Sequence, residues 1–160
     1  MNVEILKAAE ALVALLKAKG KKIATAESCT GGMVSSYLTA VPGASSVIEM
    51  GITTYSNRIK HEVLGVSAET LQTKGAVSYE TASQMAQNVR RLSGADIGVS
   101  VTGVAGPDGQ DGYDAGNVFI AISDGNTTVP TLLKIEPRDR NYVREQAVLQ
   151  LLLKVTELIK

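Results

Sequence analysis

Ser28 and Cys29 are adjacent candidate nucleophiles in the segment 26–32, between a predicted strand and a predicted helix. A helix N-terminus carries partial positive charge and free backbone N–H groups, which together can stabilise an oxyanion. Gly31 and Gly32 have no side chains, so a substrate can approach the backbone closely. Serine and threonine are also ordinary helix caps, and the pattern alone therefore favours a structural role over a catalytic one.

A serine nucleophile needs a base to accept its proton, and the candidates are Lys60 and His61. Lys60 falls about one turn into a predicted short helix, 57–64, that follows Tyr55 at the end of a strand. A strand end and the first helical turn can direct both groups into one crevice beyond the sheet. A solvated helix face is the commoner setting for a lysine. His61 is the weaker candidate, because no cysteine or second histidine accompanies it.

Two further segments have residues suited to binding a ligand. Residues 103–109 show the spacing G-x-x-G-x-x-G, which matches neither a Rossmann fingerprint nor a Walker A loop. This spacing predicts a flexible loop whose backbone could bind a small ligand. The alternative is a long loop that only connects two secondary-structure elements. Arg140 and Arg144 share one helix face and are suited to hold a phosphate or carboxylate. A solvated face is the alternative for at least one of them.

These residues must be positioned by helices that alternate with strands. An Asp-Gly pair at 124–125, between two apolar runs, predicts an antiparallel hairpin. The pattern predicts one domain over 1–160, an α/β/α sandwich around a mixed, mainly parallel sheet. The predicted helices are 3–19, 33–38, 57–64, 79–92 and from about 139 onward, and the predicted strands are 23–26, 47–55, 97–103, 118–122 and 129–135.

Composition excludes several functional classes. The chain has 160 residues, is 44% hydrophobic, and its 16 basic and 16 acidic residues give zero net charge. That balance disfavours tight nonspecific binding of nucleic acid. One cysteine and one histidine provide neither an internal disulfide nor the usual zinc site, so we expect no metal. No signal peptide and no apolar run of about 18 residues is visible, which predicts a cytoplasmic protein without a membrane partner.

Four segments, taken in order, resemble one family, the carboxy-terminal domain of the competence/damage-inducible protein CinA. They are AESCTGG at 26–32, TYSN followed by Lys60, GAVS at 75–78, and SVTGVAGP at 100–107. Arg140 and Arg144 match the late R-x-x-x-R of that family. The resemblance spans nearly the whole chain. It implies an α/β fold and hydrolysis of nicotinamide mononucleotide to nicotinate mononucleotide and ammonia, without a cofactor.

Transferred residue by residue, the resemblance implies that Ser28 is the nucleophile, Lys60 its base and Tyr55 a proton-network residue. Cys29 is then expected to face the interior. Lys60 must be neutral, so its pKa must be lowered by burial or by a cation such as Arg58. We expect backbone N–H groups around Thr30 and Gly31 to hold the oxyanion. The residues expected to bind the substrate are Thr30, Gly31, Gly32, Asn57, Thr102, Gly103 and Arg140.

One loop departs from the family pattern, which usually has Lys-Pro where this chain has Asp114 and Ala115. An acid at this position is expected to weaken the binding of a phosphorylated substrate. The departure keeps open a second function, a non-catalytic protein-interaction domain linked to competence or DNA damage. We also expect a homo-oligomer, because the strand 47–55 and the last helix have more apolar surface than one small sheet covers.

Overall fold

Five strands form one mixed sheet in the computed structural model, which describes residues 1–160. The strands are β1 (Ile23–Glu27), β2 (Ile48–Thr53), β3 (Ile97–Gly103), β4 (Asn117–Ser123) and β5 (Thr128–Lys134). Their order is β2-β1-β3-β4-β5. The first three strands of that order run parallel, and β4 and β5 are antiparallel to their neighbours. The predicted hairpin joins β4 to β5, where Asp124 Oδ1 accepts the backbone N–H of Thr127 at 2.8 Å.

Six helices surround the sheet, and most begin at a polar cap visible in the sequence. Ser56, Ser78 and Asp139 each accept the backbone N–H three residues later, which satisfies a donor left free at the helix start. A short helix over 68–73 was not predicted, and a 3-10 turn covers 44–46. The helices are α1 (Val3–Lys19), α2 (Met33–Thr39), α3 (Asn57–Glu62), α4 (Ala68–Thr73), α5 (Tyr79–Ser93) and α6 (Arg140–Ile159).

The two faces of the sheet are covered by different helices, which confirms the predicted α/β/α sandwich. Val99 and Val101 of β3 point into the main core with α1, α2 and α6. The alternate residues of β3 face α5, where Ser100 Oγ donates to Ala82 O at 2.6 Å. A Cβ at Gly98 would collide with the carbonyl of Ala86. The closeness of α5 to the sheet therefore depends on a glycine at that position.

The three parallel strands end together, and this brings the candidate site residues to one edge of the sheet. Glu27 at the end of β1 is in register with Thr53 of β2 and Val101 of β3. Ligands in open α/β sheets bind beyond the carboxyl ends of such strands. The segments after β1, β2 and β3 therefore meet at this edge. None of the helices is long and apolar enough to cross a lipid bilayer.

Candidate active site

A cavity of about 290 Å³ lies beyond the carboxyl ends of the parallel strands. Its lining consists of Ser28, Cys29, Tyr55, Lys60, Ala76, Val77, the segment 102–110 and Arg140. The expectation that residues after different strands share one crevice is thus met for the proposed nucleophile and base.

Lys60 is 1% exposed, and its Nζ lies 2.9 Å from Ser28 Oγ. The same nitrogen donates to the carbonyl oxygens of Thr54, at 2.9 Å, and Tyr55, at 3.0 Å. A neutral amine can give its N–H groups to these carbonyls and direct its lone pair at the Ser28 hydroxyl, which then donates to Nζ. The backbone at the end of β2 therefore orients the base toward the nucleophile.

Burial lowers the pKa of Lys60 to about 8, against the smaller opposing effects of Cys29 and Asp111. Desolvation disfavours the charged ammonium, so the neutral amine becomes accessible near physiological pH. Of the two expected causes, burial is the one that lowers this pKa, and Arg58 does not contribute. Its exposed guanidinium donates to Glu62 at 2.7 Å, one helical turn along α3.

The turn after β1 holds Ser28 at the cavity. The Ser28 N–H donates to Val101 O at 2.9 Å, and the Ser28 carbonyl accepts the N–H of Gly31 at 3.0 Å. Because the Gly31 N–H is engaged in this way, it does not match our expectation of an oxyanion donor. The N–H groups of Cys29 and Thr30 have no acceptor within the protein. They are the free backbone donors next to the nucleophile.

Glu27 is a site residue that the sequence analysis missed. Its carboxylate is 1% exposed and accepts the Thr30 hydroxyl at 2.7 Å. It also accepts the backbone N–H groups of Val34, at 2.8 Å, and Ser35, at 3.1 Å, at the start of α2. A carboxylate at a helix N-terminus is favourably placed. A charged residue that ends a buried strand just before a predicted helix is the signal that could have identified it.

Cys29 lies in the main hydrophobic core and is 7% exposed, as predicted. Burial raises the pKa of the Cys29 thiol to about 11. The thiolate is the reactive form of cysteine, so this thiol is a poor nucleophile near neutral pH. The geometry and the protonation state both favour Ser28 of the two adjacent candidates.

Arg140 and Tyr55 meet at the mouth of the cavity. Arg140 donates to Gly106 O at 2.6 Å and to the Tyr55 hydroxyl at 3.0 Å. The Tyr55 side chain is 60% exposed, and the carbonyl of this residue, not its phenol, contacts Lys60. The phenol forms no hydrogen bond with Ser28 or Lys60, so the proton-network role of Tyr55 stays a prediction.

The model of the CinA C-terminal domain family matches residues 5–159. The chain belongs to this family. A CinA-like protein from Anaeromyxobacter dehalogenans is 45% identical over 142 residues, which cover 88% of this chain and 35% of that protein. The chain thus spans about a third of the length of the curated relatives it matches.

Solved structures of CinA-family proteins have the same fold. The competence/damage inducible protein CihA from Agrobacterium tumefaciens superposes with a TM-score of 0.95 at 34% identity, over 100% of this chain and 98% of that one. The competence or damage-inducible protein from Enterobacter asburiae gives 0.95 at 32% identity, over 99% and 100% of the two chains. The family and the α/β fold predicted from the sequence motifs are confirmed.

The CinA-type motif SVTGVAGP forms part of the cavity wall. Thr102 and Gly103 line the cavity. The Thr102 hydroxyl donates to Ala76 O at 2.8 Å and so ties the GAVS segment to the end of β3. Asp111, in a left-handed conformation with φ 53°, accepts the N–H of Val77 at 3.0 Å. These contacts connect the two loops that face Ser28.

Four residues expected to contact the substrate lie outside the cavity lining: Thr30, Gly31, Gly32 and Asn57. Thr30 is fully buried and bonded to Glu27, and Gly32 caps α2. Asn57 is exposed at the start of α3. The structure therefore gives Gly31, Gly32 and the side chains of Thr30 and Asn57 no place in the cavity lining, and only the free backbone N–H of Thr30 stays a candidate for a substrate contact.

The remaining candidates are also placed away from the reacting pair. His61 is exposed, and its Nδ1 lies 2.7 Å from the carbonyl of Val66, which lies between α3 and α4. Asp114 borders a second, adjoining cavity of about 510 Å³, which Arg138 and Arg140 also line. No group of three or more His, Cys, Asp or Glu side chains is placed to hold a metal ion.

Proposed function

We propose that this CinA-family chain is a serine amidohydrolase that converts nicotinamide mononucleotide to nicotinate mononucleotide and ammonia. The observation that carries the proposal is the buried Lys60 amine, 2.9 Å from the Ser28 hydroxyl. A nucleophile within hydrogen-bond reach of a base that is oriented by third groups is the arrangement used in covalent catalysis. Here the third groups are the carbonyls of Thr54 and Tyr55.

In the first half-reaction, Ser28 Oγ attacks the carboxamide carbon while Lys60 accepts the hydroxyl proton. The amide oxygen becomes an oxyanion, which the free N–H groups of Cys29 and Thr30 stabilise. The protonated Lys60 then donates its proton to the amide nitrogen. The C–N bond breaks, ammonia leaves, and the nicotinoyl group remains on Ser28 as an ester.

In the second half-reaction, water attacks the ester carbon and Lys60 accepts a proton from that water. The Ser28 oxygen leaves and regains its proton from Lys60, which restores the free enzyme. The acid is released as nicotinate mononucleotide. One base serves both halves because its pKa of about 8 lets it exchange a proton readily near neutral pH.

The charged groups at the mouth suit a nucleotide better than a simple amide. Arg140 lines both the cavity next to Ser28 and the adjoining cavity, which Arg138 also lines. Guanidinium groups bind phosphate oxygens in bidentate fashion. With the carboxamide at Ser28, the phosphate of the mononucleotide would lie toward Arg140. Asp114 borders the same space, and its charge would weaken this binding.

The test is ammonia release and formation of nicotinate mononucleotide by the purified chain, with Arg58→Ala as the exposed control. Ser28→Ala and Lys60→Met should each lower kcat by several orders of magnitude, as removal of a nucleophile or its base does. Nicotinamide riboside, which lacks the phosphate, should show a higher KM than the mononucleotide. A folded wild-type chain that releases no ammonia would contradict the proposal.

A further inference from the structure

Arg144 contacts the turn that carries Ser28 through two backbone carbonyls. Its Nε donates to Cys29 O at 3.0 Å, and its Nη2 donates to Thr30 O at 3.1 Å. Its Nη1 donates to the Asn141 side chain at 2.9 Å. Arg144 forms no salt bridge. The guanidinium is half-buried, has no carboxylate partner, and is held by two successive peptide groups beside the nucleophile. Its position is therefore not explained by an ion pair.

Arg144 influences the direction of two N–H groups, that of Thr30 directly and that of Cys29 through Gly31. In a trans peptide, the C=O and the N–H of one peptide unit point in opposite directions. Because Arg144 holds the Cys29 carbonyl, the Thr30 N–H of that unit points away from Arg144. Arg144 also holds the Thr30 carbonyl, and the N–H of that peptide unit, which belongs to Gly31, donates to the Ser28 carbonyl. The Cys29 N–H of the Ser28 unit therefore points away from Gly31. Both of these N–H groups lack an acceptor within the protein.

Arg144 also polarises the peptide it holds. A cation on the carbonyl oxygen draws electron density from the peptide unit and makes its N–H a stronger donor, and hydrogen bonds in series reinforce one another. The turn leaves room for this contact, because a Cβ at Gly31 would lie 3.4 Å from Arg144 Nη2, and Gly31 has φ +61°. A side chain there would be strained in that left-handed conformation and would crowd the guanidinium.

We propose that Arg144 is a positioning residue for the oxyanion-binding N–H groups. It orients and polarises the Thr30 N–H directly through the Cys29 carbonyl, and the Cys29 N–H through the series Arg144 to Thr30 O and Gly31 N–H to Ser28 O. It acts through the two peptide groups and does not touch the reacting atoms. In its kinetic form this inference rests on the proposed function. The inference also predicts that Arg144 strengthens the binding of any group that becomes a tetrahedral anion on Ser28. That prediction does not depend on which substrate is the natural one.

The kinetic test compares Arg144→Ala, Arg144→Lys and the exposed control Arg58→Ala. We expect Arg144→Ala to lower kcat about 10- to 100-fold, less than the ~100- to 1000-fold cost of deleting an oxyanion donor outright. KM and the pH at which activity rises should not change, since Lys60 and Arg140 are untouched. Arg144→Lys should fall between, and added guanidinium ion at non-denaturing concentration should restore part of the kcat of Arg144→Ala.

Three results would overturn the proposal. One is an Arg144→Ala variant with wild-type kcat. Another is a lowered kcat accompanied by a shifted pH profile, which would mean that Arg144 acts on Lys60. The third is a lowered kcat that neither guanidinium nor the Arg144→Lys substitution improves, which would mean a general disruption. If Arg144→Ala does not fold, the kcat of the Arg144→Lys variant decides, because lysine retains a cation but cannot hold both carbonyls in the same fork geometry. A lowered kcat with an unchanged pH profile supports the proposal, and a wild-type kcat overturns it.

A boronic acid separates this proposal from the choice of substrate. With 3-pyridylboronic acid, Ser28 Oγ forms a bond to boron, its proton passes to Lys60, and boron becomes a tetrahedral anion that boron NMR detects. We expect the wild type to bind this probe, Ser28→Ala not to form the tetrahedral species, and Arg144→Ala to bind it at least about tenfold more weakly. Equal binding by wild type and Arg144→Ala overturns the Arg144 proposal even if the mononucleotide is hydrolysed. Weakened binding supports it even if no ammonia is released from the mononucleotide.

Discussion

Replacing Lys60 by methionine should change how the stability of the protein depends on pH. Burial lowers the pKa of Lys60 from the 10.5 of a solvated lysine to about 8. Between these values the unfolded chain binds more protons at this residue than the folded chain does. The free energy of unfolding of the wild type therefore rises with pH across this window. Methionine has a similar shape and no proton to bind, so its variant lacks this contribution.

The size of the effect follows from the two pKa values. At pH 7 the ammonium of Lys60 is present in both states, and its burial costs about 3 kcal/mol, at about 1.36 kcal/mol per pKa unit. At pH 9 the folded state holds mostly the neutral amine, and the cost falls to about 2 kcal/mol. The wild type should thus gain about 1 kcal/mol of stability relative to Lys60→Met between pH 7 and pH 9. The Cys29 thiol titrates in both proteins, so its effect cancels in the difference.

The assay is urea unfolding of the wild type and Lys60→Met at pH 7 and pH 9, at one ionic strength. Lys21→Met serves as the control because the Lys21 side chain is exposed. It should follow the wild type at both pH values. A difference between wild type and Lys60→Met that stays constant over this range would refute the reasoning, since it would mean that the Lys60 ammonium is as well solvated in the folded chain as in the unfolded one.

Three further predictions concern activity and stability. The kcat/KM for nicotinamide mononucleotide should rise with pH around a midpoint near the Lys60 pKa of about 8, with roughly a tenth of the plateau value at pH 7; a flat profile from pH 6 to pH 10 would speak against a lysine base. Cys29→Ala should keep kcat within about tenfold of wild type, and iodoacetamide should leave the native enzyme active, because burial raises the pKa of this thiol to about 11. Thr54→Val should raise the free energy of unfolding by about 1 kcal/mol, because the buried Thr54 hydroxyl has no hydrogen-bond partner. It should retain activity, because Lys60 donates to the backbone carbonyl of Thr54, and a large loss of kcat would show that the hydroxyl itself is needed.

Local sequence signals were sufficient to predict most of the secondary structure. The caps at Ser56, Ser78 and Asp139, and the Asp-Gly of the hairpin, are short-range features that act on their own neighbours. The helix α4 was missed because Ala68–Thr73 has little hydrophobic periodicity and no buried residue. The strand predicted to reach Tyr55 ends at Thr53. Beyond that point the backbone turns to place two carbonyls on Lys60, which a pattern of residue types does not encode.

The site was predicted less completely, because its key contacts join residues far apart in the sequence. The spacing of Tyr55 and Lys60 allowed both to face one crevice, and the family resemblance paired Lys60 with Ser28. Neither showed that burial, and not a neighbouring cation, lowers the pKa of Lys60. The contact between Arg144 and the Cys29 carbonyl spans 115 residues. Nothing in the local sequence distinguishes this arginine from a solvated one. Tertiary contacts with backbone groups were thus the part of the site that sequence patterns could not supply.

The most direct measurement of the central claim is mass spectrometry of the acid-quenched enzyme during turnover of nicotinamide mononucleotide. The mechanism predicts an acyl ester on Ser28, found on the peptide that contains this residue, in the wild type and in Cys29→Ala. The adduct should be absent from Ser28→Ala, and it should form far more slowly in Lys60→Met. An adduct on Cys29, or ammonia release that persists in a folded Ser28→Ala variant, would contradict the assignment of Ser28 and Lys60 as nucleophile and base.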